Sequence, residues 1–145
     1  LSLDLYSEPN VDNKIETLSP FTVTFDGRVG GKLDRLVYVR NDNILRYYTN
    51  IAVTPCTLTG DSLVDDSTPG YYWRLMVKDI RPTNEEWNLL TSGATVSLGA
   101  DLGSSGDGDI ITFLPLWIRV AIPRAQRIQA ITNVVIRITA TENVV

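Results

Sequence analysis

Phe113-Leu114-Pro115-Leu116-Trp117-Ile118-Arg119-Val120-Ala121-Ile122-Pro123 is the run that decides the fold. Leu116, Ile118, Val120 and Ile122 recur at every second position. Successive side chains of a strand point to opposite faces, so these four share one face and Trp117, Arg119 and Ala121 share the other. Pro123 has no N–H for a ladder and ends the strand. Both faces are rich enough in apolar groups to expect protein on each side. Ile131 to Ala140 has the same character, and the two runs are expected to be central strands of one sandwich.

Working outward from this run, short strand patterns alternate with turn chemistry. Leu1 to Tyr6 alternates leucine with polar residues and reads as an edge strand. Pro20 to Phe25 places Phe21, Val23 and Phe25 on one face. Asp26-Gly27 and Gly30-Gly31 mark turns. Leu33 to Arg40 and Arg46 to Thr54 read as an antiparallel hairpin around Asn41-Asp42-Asn43, with Tyr47, Thr49, Ile51 and Val53 on one face. Tyr71 to Lys78 and Thr95 to Leu98 are further strands. Pro82 to Leu90 breaks the pattern. Thr83 followed three residues later by Glu86 is a capping-box signature, and it predicts a short helix from Thr83 to Leu90 that turns Trp87 and Leu90 towards the sheets. The expectation is an all-β, antiparallel β-sandwich, immunoglobulin-like or jelly-roll-like, of about eight strands with one short helix. Residues 1–19 read as a strand and a polar arm, and 20–145 as the sandwich.

Composition narrows the chemistry. A chain of 145 residues suits one domain with a full core. One cysteine, Cys56, allows no internal disulfide and reads as a small hydrophobe following a strand. No histidine is present, which removes the usual general base, zinc ligand and pH switch. The net charge of −4 argues against a nucleic-acid partner. No run has the roughly 18 apolar residues of a membrane span. Leu1 to Pro9 has neither the basic cluster nor the apolar core of a signal peptide.

Candidate sites are few. Asp101, Asp107 and Asp109 flank a glycine-serine loop, and Asp61, Asp65 and Asp66 form a second acidic group. Neither has the ligand spacing of a calcium loop, and solvated turns explain both. Tyr47, Tyr48, Tyr71, Tyr72 and Trp73 could offer a sugar an aromatic platform, but alternation sends half of them into the core. Arg40, Arg74, Arg119 and Arg137 lie within strands, with Tyr72 beside them. They either line an outer face that docks on a partner or pair with acidic residues across strands. No nucleophile has a base to call on, and no phosphate-binding loop is present. The expectation is a protein without enzymatic activity, metal or cofactor.

Three segments together carry a resemblance: Lys32 to Pro55, with its Arg-Asn-Asp and Tyr-Tyr signatures, Trp87 on its capped helix, and Phe113 to Ile138. They resemble the small β-sandwich accessory virion proteins of tailed bacteriophages, of the capsid cement or decoration type. The resemblance implies a structural late protein that binds the shell surface. Its partner would be the major capsid protein or another virion protein, and it would form a homo-oligomer assembled in the host cytoplasm. Tail, neck or baseplate components are the near alternative, and a carbohydrate-binding or adhesin-type module is the alternative of another class. On this reading the loops and the arm from Ser7 to Ser19 do the docking.

Overall fold

The computed structural model describes residues 3–8, 14–15, 24–26, 28–57, 72–91, 93–104, 112–124 and 134–145. Within them lie β1 (Leu3–Tyr6), β2 (Gly31–Asn41), β3 (Arg46–Thr57), β4 (Tyr72–Met76), α1 (Asn84–Asn88), β5 (Val96–Ser97), β6 (Phe113–Ile122) and β7 (Val134–Val144). The strands form two sheets, ordered β1-β2-β6-β4 and β5-β3-β7, with every pairing antiparallel. This is the all-β sandwich expected from the alternation. Most of the expected strand Pro20–Phe25 lies outside the described residues.

β6 is central, as its two covered faces require. It pairs with β2 from Gly31↔Ile122 to Arg40↔Phe113, and with β4 from Tyr72↔Ala121 to Met76↔Trp117. Residues directly paired across strands share a face. Leu116, Ile118 and Val120 therefore join Val37, Val39 and Leu75 on the inner side of the first sheet. There they pack in one core with Tyr48, Ile51 and Val53 of β3 and with Ile136, Ile138 and Ala140 of β7.

Three expectations about strand placement are corrected. The first concerns β7, which among the described strands lies at the edge of the second sheet and not at its centre. Its apolar run concealed an alternation: Ile136, Ile138 and Ala140 face the core, whereas Arg137, Thr139 and Thr141 are exposed. The second concerns β2 and β3, which do not form a hairpin but belong to different sheets. Asn41 makes the corner between them. It is fully buried, and its Nδ2 donates to the carbonyls of Arg46 at 2.9 Å and Gly103 at 2.7 Å. Its Oδ1 accepts the Asn43 N–H at 2.9 Å, and the Asn43 side chain in turn accepts the Leu45 N–H at 2.7 Å. The asparagines do turn the chain, but across the sandwich.

The third correction is a bulge in β3. Pairing with β7 runs to Thr49↔Thr141 and resumes at Ala52↔Thr139, so Asn50 and Ile51 oppose Ala140 alone. Asn50 takes φ of 51°, a left-handed conformation that asparagine tolerates better than most residues. The extra residue reverses the alternation. Tyr48 rather than Tyr47 turns inward and is fully buried, with its hydroxyl donating to Glu142 Oε1 at 2.7 Å. Thr49 likewise falls out of phase with Ile51 and Val53. Cys56, a free thiol, is buried inside β3 and not beyond it.

Part of the expected N-terminal arm returns to the sandwich. The Ile15 N–H donates to the Leu5 carbonyl at 2.8 Å, Lys14 pairs with Asp4 at 3.1 Å, and Ile15 packs against the core. The other residues between Pro9 and Ser19 lie outside the described residues. At the entry to β2, Gly30 has φ of 73°, and a Cβ there would meet the Ile122 carbonyl oxygen at 2.7 Å. Only glycine fits where this turn crosses the end of β6.

Candidate functional site

The outer side of the first sheet carries the densest polar arrangement among the described residues. β2 places Asp34 directly opposite Arg119 of β6, and Arg119 is directly opposite Arg74 of β4. All three share the outer face, with Trp117 two residues before Arg119 and Tyr72 two residues before Arg74.

α1 carries Trp87 onto this face. The helix forms because Thr83 caps it: the Thr83 hydroxyl accepts the Glu86 N–H, and the Glu86 carboxylate accepts the Thr83 N–H. Lys78 pairs with the same carboxylate. The hydrogen bond from Lys78 and then the cap hold the Glu86 carboxyl below the usual range. Gly93 returns the chain to the sheet by donating its N–H to the Trp73 carbonyl at 2.9 Å. Trp87 is fully buried, whereas Leu89, two residues on, is 86% exposed.

Asp34 and Arg119 form a buried ion pair. Arg119 donates from Nε to Asp34 Oδ1 at 2.6 Å and from Nη2 to Oδ2 at 2.9 Å, with side chains 4% and 1% exposed. Arg81 adds a third bond, Nε to Oδ2 at 2.9 Å, from an exposed position. Burial alone would raise the Asp34 carboxyl, but hydrogen bonds from Arg119 and Arg81 outweigh it and hold the carboxyl below the usual range. The hydrogen bonds to Asp34 raise the pKa of Arg119 against the opposing effect of burial, and Tyr72 adds in the same direction. Such a bidentate pair has good geometry, and its loss on one side would strand a buried charge.

The remaining groups close around Arg74. Its guanidinium lies 3.8 Å from the centre of the Tyr72 ring, and its Nη1 donates to the Trp87 carbonyl at 3.2 Å. The Arg119 guanidinium lies 5.3 Å from the Trp87 ring centre. Four donors of this cluster, Arg74 Nε, Arg119 Nη1, Trp87 Nε1 and Trp117 Nε1, are out of contact with solvent and have no hydrogen-bond partner. Each buried polar group left unpaired costs about 1–3 kcal/mol.

Of the five residues singled out for partner binding, Arg40, Tyr72, Arg74 and Arg119 occupy the outer face of the first sheet, and Arg137 is exposed on the second. They do not form one face. Arg119 follows the cross-strand pairing reading and is buried rather than offered to a partner. Arg40 is half-buried on β2, opposite Phe113, whose ring meets Tyr38 edge-on at 5.8 Å between centres. Sequence reasoning did not select Asp34 or Arg81. The only signal for Asp34 is a charge in phase with Leu36 and Tyr38 on a strand, which becomes informative once its register with Arg119 is known.

The other candidate clusters are not brought together among the described residues. Asp101 is exposed, while Asp61, Asp65, Asp66, Asp107 and Asp109 lie outside the described residues. The aromatic platform is divided: Tyr48 is buried, Tyr47 lies on the second sheet, Trp73 packs against the core, and Tyr71 lies outside the described residues. Among the described residues no group of three or more His, Cys, Asp or Glu side chains could hold a metal ion, and no helix is long and apolar enough to cross a membrane. No family model, curated protein or solved structure matches the chain.

Proposed function

We propose that this sandwich is a non-enzymatic structural component of a bacteriophage particle, a cement or decoration protein that docks on the shell through the outer face of its first sheet. The partner is the major capsid protein or a neighbouring virion protein, and the protein acts as a homo-oligomer added during assembly in the host cytoplasm. The supporting observation is the content of that face. Tyr72, Arg74, Trp117, Tyr38 and Phe113 project from β2, β4 and β6, and each keeps part of its surface exposed. Aromatic and arginine side chains are the types enriched at protein interfaces and at their energetic centres. The resemblance of Lys32 to Pro55, Trp87 and Phe113 to Ile138 to accessory virion proteins supplies the kind of partner.

The test is co-sedimentation of the full chain with purified phage particles that lack it. Saturable binding is expected, weakened at least tenfold by Phe113→Ala with Tyr38→Ala, while Arg137→Ala binds as wild type. Immunogold labelling should fall on the shell. Labelling of tail, neck or baseplate would move the docking site within the particle. Absence of binding to any part of the particle would overturn the virion reading.

A further inference from the structure

Residues 79–91 cross the outer face of the first sheet as a strap. The strap leaves the end of β4, lays Trp87 of α1 over Arg119 of β6, and returns to the sheet where Gly93 meets Trp73. Between Arg81 and Leu90 only Pro82 and Trp87 are buried. Ile80 and Leu89 are exposed. Two ion pairs tie the strap down, Lys78 to Glu86 and Arg81 to Asp34, and both include side chains that solvent reaches. Pairs of that kind hold little. Each end has the form of a hinge: Gly93 has φ of 69°, and Asp79 with Ile80 makes an exposed bend.

The underside of the strap is where hydrogen bonding falls short. Trp87 Nε1 belongs to the strap itself. Arg119 Nη1 belongs to the guanidinium 5.3 Å from the Trp87 ring centre, and Arg74 Nε to the guanidinium that donates to the Trp87 carbonyl. All three atoms are closed off from solvent and have no partner. With the strap down, each has lost water and gained no bond in return. Lifting the strap returns them to water. The sheet beneath keeps its own ties: Arg119 stays on Asp34 through Nε and Nη2, and β6 stays paired with β2 and β4. Few buried side chains, exposed ties and unpaired donors are the physical marks of a unit that opens by itself. We propose that residues 79–91 form a lid, which lifts off the outer face while both sheets stay paired and so uncovers Trp87 and Arg119. The lid stands whether or not the protein belongs to a virion. Only its use rests on the docking reading: opening would add a tryptophan and an arginine, the types that dominate interface energetics, to the docking face.

The experiment is native-state hydrogen exchange of the full chain, followed by NMR at several urea concentrations below the unfolding transition. Two kinds of probe separate lid opening from fraying of a short helix. The amides of Trp87, Leu89 and Leu90 are bonded within the lid, to the carbonyls of Thr83, Glu86 and Trp87. The Trp87 indole N–H has no bond to break, so it exchanges only when water reaches it. The indole and the three amides should exchange together, at least about tenfold faster than the ladder amides of β2 and β6 and with a weaker dependence on urea. Lys78→Met removes one tie and leaves the Thr83–Glu86 cap in place. It should speed the indole and lid amides by up to about fivefold and leave the ladder amides unchanged. An indole that exchanges only with the β6 amides, at their urea dependence, would overturn the proposal whatever the helix amides do. Equal acceleration of lid and ladder by Lys78→Met would overturn it as well.

Discussion

The two sheets have inner faces of the same kind and outer faces of opposite kinds. Inside, both contribute branched aliphatic residues to one core. Outside, the first sheet holds a buried ion pair, stacked arginine and tyrosine, and a helix laid over the central strand. The second presents a threonine-rich surface: Thr54 meets Thr95 at 2.7 Å, and Thr49 accepts from Asn143 at 3.3 Å. The first face is organised by long side chains reaching across strands and needs each partner in place. The second is organised by short hydroxyls that water can replace. Loss of a residue should therefore cost far more on the first face than on the second.

The largest effect is expected at Arg119. Arg119→Met keeps most of the volume but leaves the buried Asp34 with Arg81 alone. Removing one partner of a buried pair typically costs about 3–5 kcal/mol, read as a lowered midpoint in urea. The acid limb should also change. The Asp34 carboxyl is held below its unfolded value of about 3.9, so its contribution is present above that pH and is lost as pH falls through the folded pKa. In Arg119→Met that depression shrinks, and the stability lost below pH about 4 should be smaller. A variant as stable as wild type at neutral pH would place the organisation of this face elsewhere.

This ion pair marks the limit of what was legible in the sequence. Alternation in Phe113–Pro123 located the central strand, and Thr83 with Glu86 located the helix, because both signals are local. The partner of Arg119 was not legible, because Asp34 is 85 residues away and is defined by strand register. Asn41 was read correctly as a turn and wrongly as a hairpin. Its corner rests on the carbonyl of Gly103, 62 residues distant. The inward turn of Tyr48 was missed because one extra residue reverses a period of two.

The next effect concerns Tyr6, at the edge strand of the first sheet. Burial first, and then its hydrogen bond to Asp42 at 3.0 Å, push the phenol up to about 12. A group whose folded pKa is raised stabilises the fold below its unfolded value of about 10 and loses that contribution as pH climbs to the folded value. Stability of order 2 kcal/mol should therefore disappear between pH 10 and about 12. Absorbance at the tyrosinate band should show a late titration step that Tyr6→Phe removes. A first-sheet edge without that step would narrow the contrast to the region beneath α1.

A smaller effect is expected on the second sheet at Asn50, where backbone rather than side-chain partners sets the cost. At φ of 51° a β-branched residue is strained, and Asn50→Val should lose about 1–2 kcal/mol, whereas Asn50→Gly should lose little. Equal losses for both would mean that the Asn50 side chain, 3.5 Å from the Thr141 hydroxyl, matters more than the bulge.

The smallest effect on stability should be at Arg137, which tests the contrast most directly against Arg119. Arg137 is exposed, opposite Thr54 in the register of β3 and β7, and the Thr54 hydroxyl is engaged by Thr95. Substituting such a residue by alanine usually changes stability by less than about 0.5 kcal/mol. A different role follows from its strand. No described strand pairs with the other side of β7, and Arg137 is its only basic residue, set between Ile136 and Ile138. Natural sheets keep exposed edges apart with charges of this kind. Arg137→Ala should thus melt with the wild type yet scatter light sooner when held below the transition at high concentration. A melting loss as large as that of Arg119→Met would show that the threonine face is organised as tightly as the arginine face. An unchanged aggregation rate would show that the bulge at Asn50, which twists the same strand pair, is enough to protect the edge.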